Sequence, residues 1–235
     1  MKKEKTNEQL PASSVVDFDP IAGEYDKWYE TTEGRQYDLL EKRVLRRLIG
    51  KVESGTHLLE VGAGTGWWSR FFSNLGYRVT GVDVSARMVE AARLKNIPDA
   101  QFEMADGHNL PFPDHHFSAA AAVTTIEFTR DPETVIREMV RCLKPDGRLF
   151  LGVLNGEAPL NKERKLKEDG LFAPARFLTA HEISRLLAPY GKPALKQCAF
   201  PLSIKMPTSM AGQADDFQAW LNMTSGAFIA VRMDL

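Results

Sequence analysis

From residue 57 to residue 154 the chain alternates short apolar runs with stretches of helical period, and no other feature restricts its fold as much. The runs at 57–61, 78–84, 101–105, 117–125 and 148–154 read as strands. Between them, 65–75 and 86–95 read as helices, the second opened by Ser85 as its N-cap. A third runs from its cap, Asp131, to 143, with Pro132 and Glu133 in a first turn that favours both. Strands separated by single helices build a parallel sheet with right-handed crossovers. The chain is α/β.

The flanks extend this unit. Residues 20–51 have helical character, with an aromatic cluster at Tyr25, Trp28 and Tyr29, a break at Gly34, and then Leu39, Leu40, Val44, Leu45, Leu48 and Ile49 at helical spacing. Residues 155–178 show no clean period. Thr179 opens a helix to 190, with Glu182 completing a capping box. Two more strands are expected at 194–200 and 226–233, joined by a loop-rich stretch at 201–225. The expected organisation is a flexible tail at 1–19 and a single domain at 20–235. In that domain 20–51 would form cover helices, and 155–178 and 201–225 lid insertions.

With 43% hydrophobic residues the 235-residue chain can fill such a core, and its formal charge of −1 gives no reason to expect a polyanion partner. The basic cluster Lys162, Arg164, Lys165 and Lys167 is interrupted by Glu163 and reads as a solvated surface, so no nucleic-acid partner is expected. The opening MKKEKTNEQ has no apolar stretch behind it, and no run of about 18 apolar residues follows. Neither a signal peptide nor a membrane partner is expected, and the cytoplasm is the default compartment. Cys142 and Cys198 stand far apart without metal-ligand spacing, which reads as buried thiols, and no metal is expected.

Chemistry is concentrated in LEVGAGTG, residues 59–66. A strand that stops in glycines and turns straight into a helix exposes backbone N–H groups to a ligand, because no side chain stands in the way. Open α/β sheets place ligands at that carboxyl edge. The second strand ends in Asp83, about 20 residues on, where a carboxylate can accept both hydroxyls of a ribose. The dinucleotide fingerprint G-x-G-x-x-G is not met: Gly62, Gly64 and Gly66 are spaced G-x-G-x-G, and Trp67 stands where the third glycine belongs. No Gly-Lys-Ser/Thr follows. A ligand with ribose and without pyrophosphate fits best.

LLEVGAGTGWWSRFF, GVDVSARMVEAAR, MADGHNLPFPDHHFS and REMVRCLKPDGRLFLGVL together resemble the successive motifs of class I S-adenosylmethionine-dependent methyltransferases, in their type 11 small-molecule branch. The likeness runs from about residue 17 to 154. It implies a Rossmann-like three-layer sandwich with a seven-stranded, mostly parallel sheet whose last strand is antiparallel. It also implies S-adenosyl-L-methionine as methyl donor, S-adenosyl-L-homocysteine as product and a small-molecule acceptor. By resemblance the backbone at Gly62, Ala63 and Gly64 would lie against the methionyl part, with Glu60 fixing the loop. Asp83 would hold the ribose, Val84 and Met88 would flank the adenine, and Ala105, Asp106 and Gly107 would read its edge. Thr124 would meet the methionyl carboxylate or amine, and Tyr25 and Trp28 would close the pocket, with Arg35 a further candidate for that carboxylate.

Many relatives carry paired histidines after the fourth strand; here the matching positions are Glu127 and Phe128. Glu127 and His108 are the remaining candidates for a catalytic role, while His115 and His116 read as loop histidines. Two rival readings stay open, a nicotinamide-dependent oxidoreductase and a non-catalytic protein that binds the same donor.

Overall fold

The computed structural model describes residues 13–167, 170–221 and 223–235. Its strands are β1 (Thr56–Val61), β2 (Tyr77–Asp83), β3 (Ala100–Met104), β4 (Phe117–Val123), β5 (Leu143–Leu154), β6 (Ala194–Cys198) and β7 (Phe228–Asp234). They form one sheet in the order β3-β2-β1-β4-β5-β7-β6. The pairs from β3 through β5 are parallel, and β7 lies between β5 and β6, antiparallel to both. The helices are α1 (Lys27–Glu30), α2 (Thr32–Ile49), α3 (Trp67–Asn74), α4 (Ala86–Leu94), α5 (Pro132–Cys142), α6 (Pro159–Lys165), α7 (Ala180–Leu187), α8 (Pro201–Lys205) and α9 (Thr208–Trp220).

Local chemistry sets where these helices begin. The Ser85 hydroxyl accepts the Met88 N–H at 3.0 Å, and Asp131 Oδ1 accepts that of Thr134 at 3.1 Å. Thr179 and Glu182 close a reciprocal capping box at 3.2 and 2.8 Å. β4, FSAAAAV, shows how helices cover both faces. Ala119 and Ala121 turn to the layer of α2 and α3, and Ala120 and Ala122 to that of α5 and α7. Alternation along a strand sends neighbours to opposite faces, and alanine lets both layers approach closely. The result is a three-layer Rossmann-like sandwich.

Three local expectations change. Ser13 and Val15, expected in a tail, are tied down: Val15 N–H donates to Phe128 O at 2.9 Å, and Arg130 N–H to Ser13 O at 3.0 Å. Residues 1–12 of that tail lie outside the described residues. The stretch 201–225, expected as loop, holds α8 and α9, which pack on each other and against α2. Gly34 does not break the helical run either. It sits in the first turn of α2, where its N–H is capped by Thr31 Oγ1 at 2.9 Å.

Gly34 is required by close approach, since a Cβ there would stand 1.9 Å from the Trp28 carbonyl oxygen. Helix propensity alone would make Gly34→Ala stabilising by up to about 1 kcal/mol. The backbone of the α1–α2 corner cannot yield as a side chain could, so overpacking decides the sign. Gly34→Ala is expected to lower stability by about 1–3 kcal/mol, read as a lower urea midpoint at unchanged slope.

Candidate functional site

β1 delivers the chain to its carboxyl edge at Val61, and the next residues turn back under it. Gly62 and Gly64 have φ of +71° and +53°, a region closed to most side chains. The Gly62 and Ala63 N–H groups both donate to Val82 O, at 2.8 and 2.9 Å, and so bind the turn to β2. Asp83, at the end of β2, fixes the rest: Oδ2 accepts the Gly64 N–H at 2.8 Å and Oδ1 the Ser85 N–H at 2.9 Å. Burial raises the Asp83 pKa, and these N–H groups partly offset it. A Cβ on Gly64 would meet nothing within 4 Å, because it would project into an open cleft.

That cleft is lined by Gly62, Gly64, Asp83, Val84 and Met88, by Ala105, Asp106 and Gly107 after β3, and by Thr124 after β4. Ser13, Phe18 and Tyr25 cover it from the N-terminal segment. Asp26 Oδ1 pins that segment to the glycine loop by accepting the Thr65 hydroxyl at 2.6 Å. Thr124 has φ +49°, a conformation that a branched side chain adopts only under constraint, and it stands at the cleft floor.

Beside the cleft lies a second cavity of about 520 Å³, against about 90 Å³ inside the cleft itself. Phe18, Tyr25, Thr124 and Phe128 line both, so they form the wall between them. Burial pushes the Tyr25 pKa up to about 12, so its hydroxyl stays neutral. Trp28, Tyr37 and Phe172 surround the Arg164 guanidinium at 5.5, 5.5 and 5.2 Å from their ring centroids. Glu41 also lines this cavity, its pKa pushed up to about 8, chiefly by burial.

The structure brings Tyr25, Gly62, Gly64, Asp83, Val84, Met88, Ala105, Asp106, Gly107 and Thr124 together at one cleft. Trp28 lies in the second cavity instead, because α1 turns its face towards α6 and Tyr37. Ala63 is buried under the loop against Gly81. Glu60 is buried too. Its Oε2 accepts the Ser69 hydroxyl at 2.5 Å and anchors α3 to β1, and burial pushes its pKa up to about 8. Arg35 donates to Glu30 O on the exposed side of α2 and is absent from both linings.

Of the two catalytic candidates, Glu127 lines neither space and His108 lines the cleft alone. Glu127 is fully buried outside both linings; its Oε1 accepts the Leu154 N–H, and burial pushes its pKa up to about 7. His108 borders the cleft with both ring nitrogens engaged. Nδ1 meets Asp106 Oδ1 at 2.9 Å, and Nε2 accepts the Asp131 N–H at 3.3 Å. A nitrogen that accepts a backbone N–H cannot also take a substrate proton, so His108 splints Asp106 to the start of α5. Burial works against ionisation of Asp106, but the His108 N–H and ring outweigh it and hold its pKa below the usual value. Ser13, Phe18, Thr125 and Glu41 were not singled out by motif; Phe128 was named only as standing where relatives carry a histidine, and Arg164, expected on a solvated surface, is held among rings on the second cavity.

A sheet of this order, with a glycine turn and an acidic strand end at one cleft, defines the Rossmann-like methyltransferase fold. A methyltransferase-domain family model matches residues 59–151. An uncharacterized protein of Methanocaldococcus jannaschii is 32% identical over 176 residues, covering 74% of this chain and 80% of its own. A ubiquinone/menaquinone biosynthesis C-methyltransferase of Pseudomonas savastanoi is 33% identical over 66% of this chain, which spans 62% of that protein. A solved S-adenosylmethionine-dependent methyltransferase of Thermotoga maritima, a possible histamine N-methyltransferase, is similar with a TM-score of 0.72 at 29% identity, over 92% of this chain and 97% of that one. The chain belongs to the class I S-adenosylmethionine-dependent methyltransferases. S-adenosylmethionine is the methyl donor of that family. Among the described residues no helix is long and apolar enough to cross a membrane, and no cluster of His, Cys, Asp or Glu could hold a metal ion.

Proposed function

We propose that the protein transfers a methyl group from S-adenosylmethionine in the cleft to a small-molecule acceptor in the second cavity. The observation that carries this reading is the shared wall: Phe18, Tyr25, Thr124 and Phe128 border both spaces. The residues that line the cleft support the donor. The space before Gly64 would be filled by any Cβ, and the buried Asp83 carboxylate stands at the end of β2. Asp83 would hold the ribose hydroxyls, Val84 and Met88 would flank the adenine, and Asp106 would accept from its amine. The loop backbone, Tyr25 and Thr124 would hold the methionyl end.

Bound there, the donor supplies a methyl group activated by a sulfonium, which asks little of the protein beyond alignment. The chain's own residues orient and dry the site. Tyr25 and Thr124 fix the position of the wall, while the rings of Phe18 and Phe128 exclude water. A small acceptor is supported by the cavity's size, which lies within the ~300–1,000 Å³ usual for ligand pockets, and by its largely apolar lining. Both named relatives are named for small-molecule chemistry, quinone biosynthesis and possible histamine methylation. Segment 155–178 contributes Leu160, Arg164 and Phe172 to this cavity, whereas no residue of 201–225 lines either space.

Calorimetry with S-adenosylhomocysteine and with NAD tests the reading. The expected result is micromolar-range binding of the first and none of the second; the reverse would sink it. A non-catalytic donor-binding protein would bind S-adenosylhomocysteine and release none from S-adenosylmethionine across any acceptor panel.

A further inference from the structure

The second cavity is lined by a carboxyl group, Glu41, that takes no part in the cleft or in the wall between the two spaces. Glu41 faces it from α2, with only 8% of its surface exposed, and among the described residues no donor hydrogen bonds its carboxyl. The buried oxygens left without a partner among the described residues include Glu127 Oε2 and neither oxygen of Glu41, so the Glu41 carboxyl opens onto the cavity, where a ligand can reach it. On the same lining, and among the described residues, the Arg164 guanidinium is held by three rings and by a hydrogen bond to Asn161 Oδ1 at 3.3 Å. The lining between is aromatic and aliphatic, including Tyr37, Phe128, Leu154 and Phe172. Glu41 also acts electrostatically on Tyr29, whose ring packs edge to face on that of Tyr25 at the wall to the cleft. A buried proton acceptor, Glu41, a cation held among rings, Arg164, and apolar walls match an aromatic ring that carries a hydroxyl, with Glu24, Glu33 and Lys167 also on the lining.

Resting on the methyl-transfer reading above, we propose that Glu41 is a catalytic residue that takes the proton from the hydroxyl of an aromatic acceptor as that oxygen is methylated. The acceptor oxygen gives a lone pair to the methyl carbon, the carbon–sulfur bonding pair stays on sulfur, and the hydroxyl proton passes to the Glu41 carboxylate. The products are an aryl methyl ether, the neutral thioether S-adenosylhomocysteine and protonated Glu41, which returns its proton to water on release. Arg164 favours this acceptor over an ammonium, because its fixed charge stabilises developing negative charge on oxygen and repels a cation. At the cavity rim Glu24 is paired with Lys27, and Glu33 is exposed.

Burial is the main cause that holds the Glu41 carboxyl up at about 8, with Asp38 on the same helix and Glu127 after β4 adding to it. Arg164 on α6 and Lys42 on α2 oppose it. Tyr29 on α1, Tyr37 on α2 and Cys198 on β6 also sense its charge, and burial keeps their own groups neutral in this range; Lys167, after α6, lines the same cavity. Below that pH Glu41 holds a proton and cannot accept another. Turnover therefore rises with pH and levels at or below about 8, since a bound sulfonium can only move the limb down.

The test uses the full chain, 4-methylphenol and 2-phenylethylamine as acceptor probes, and the variants Glu41→Gln and Glu41→Asp. In wild type 4-methylphenol should yield its methyl ether with the rising limb. Glu41→Gln should lose the limb and about 10²- to 10⁴-fold in rate, with Glu41→Asp between. A second readout needs no turnover. With S-adenosylhomocysteine present, the affinity for 4-methylphenol should rise on the order of tenfold from pH 6.5 to 9 in wild type and stay flat in Glu41→Gln. S-adenosylhomocysteine should bind both variants within about twofold of wild type, which shows them folded. Methylation of the amine probe or of a ring carbon, an unchanged rate and pH profile in Glu41→Gln, or a wild type silent towards the phenol would each overturn the proposal. If wild type is silent and still binds S-adenosylhomocysteine, only the role of Glu41 fails. If it does not bind, the methyl-transfer reading fails first.

Discussion

Gly62→Ala is expected to weaken S-adenosylhomocysteine binding at least about 30-fold and to destabilise the protein in the same step. At φ +71° any Cβ costs about 1–2 kcal/mol, and here it would also lie 2.2 Å from Thr125 Cγ2 and 2.4 Å from Thr125 Oγ1. Rotating Thr125 gives up its 3.0 Å hydrogen bond to Val123 O, a further loss of about 1 kcal/mol, and still leaves Thr125 Cβ 2.8 Å away, so the backbone must shift as well. The sum, about 2–3 kcal/mol, should appear as a lower urea midpoint. A turn displaced by that much no longer presents its N–H groups, so affinity should fall at least about 30-fold at ~1.4 kcal/mol per decade. Gly64→Ala separates the two effects. Its Cβ meets no protein atom within 4 Å and projects into the cleft, so stability should fall only by the strain of φ +53° while binding still fails. Equal binding losses with equal stability losses in the two variants would mean that the loop is a structural turn only.

The parts of this fold that were legible in the sequence are those fixed within a few residues of chain. Ser85, Asp131 and the Thr179–Glu182 pair each start a helix where their side chains can reach a free N–H, and nothing distant is needed. The glycine turn and Asp83 were legible for the same reason. α9 was not, because its polarity is inverted. Asp215 and Gln218 are buried, accepting from Phe200 N–H at 3.1 Å and Ser203 N–H at 3.0 Å, while Met210, Phe217 and Trp220 are exposed. Gly34 read as a breaker because the carbonyl that demands it belongs to the preceding corner. Glu41 was overlooked among Tyr37, Leu40, Val44 and Leu45. A charged residue on the buried stripe of a helix is the available signal, yet it takes the cavity to give that signal a purpose. His108 shows the opposite case. Its neighbours in sequence invite a catalytic role, and its two partners in space remove it.

Asp83→Asn is expected to weaken S-adenosylhomocysteine binding on the order of 10²- to 10³-fold while leaving the chain folded. Both carboxylate oxygens accept a backbone N–H, from Gly64 and from Ser85. An amide in either orientation turns an NH2 group towards one of them, donor against donor, at a cost of about 1–3 kcal/mol. It also withdraws the charge that ribose hydroxyls would bond, which accounts for the remainder of the loss. Asp83→Ala should lose more affinity and some stability, because two buried N–H groups would then stand unpaired. The same carboxyl sets an acid limit on binding. Its pKa is raised by burial and, further, by the charge of Asp19, so the accepting form is lost as pH falls at a higher pH than for an ordinary aspartate. Asp19 accepts the Ser85 hydroxyl at the mouth of the same turn. Asp19→Asn removes one negative charge beside Asp83 and should move that limit to lower pH without removing any Asp83 contact. Calorimetric titrations of all three variants between pH 4 and 7 would show it. An acid limit unmoved in Asp19→Asn would mean that a group other than Asp83 governs donor binding.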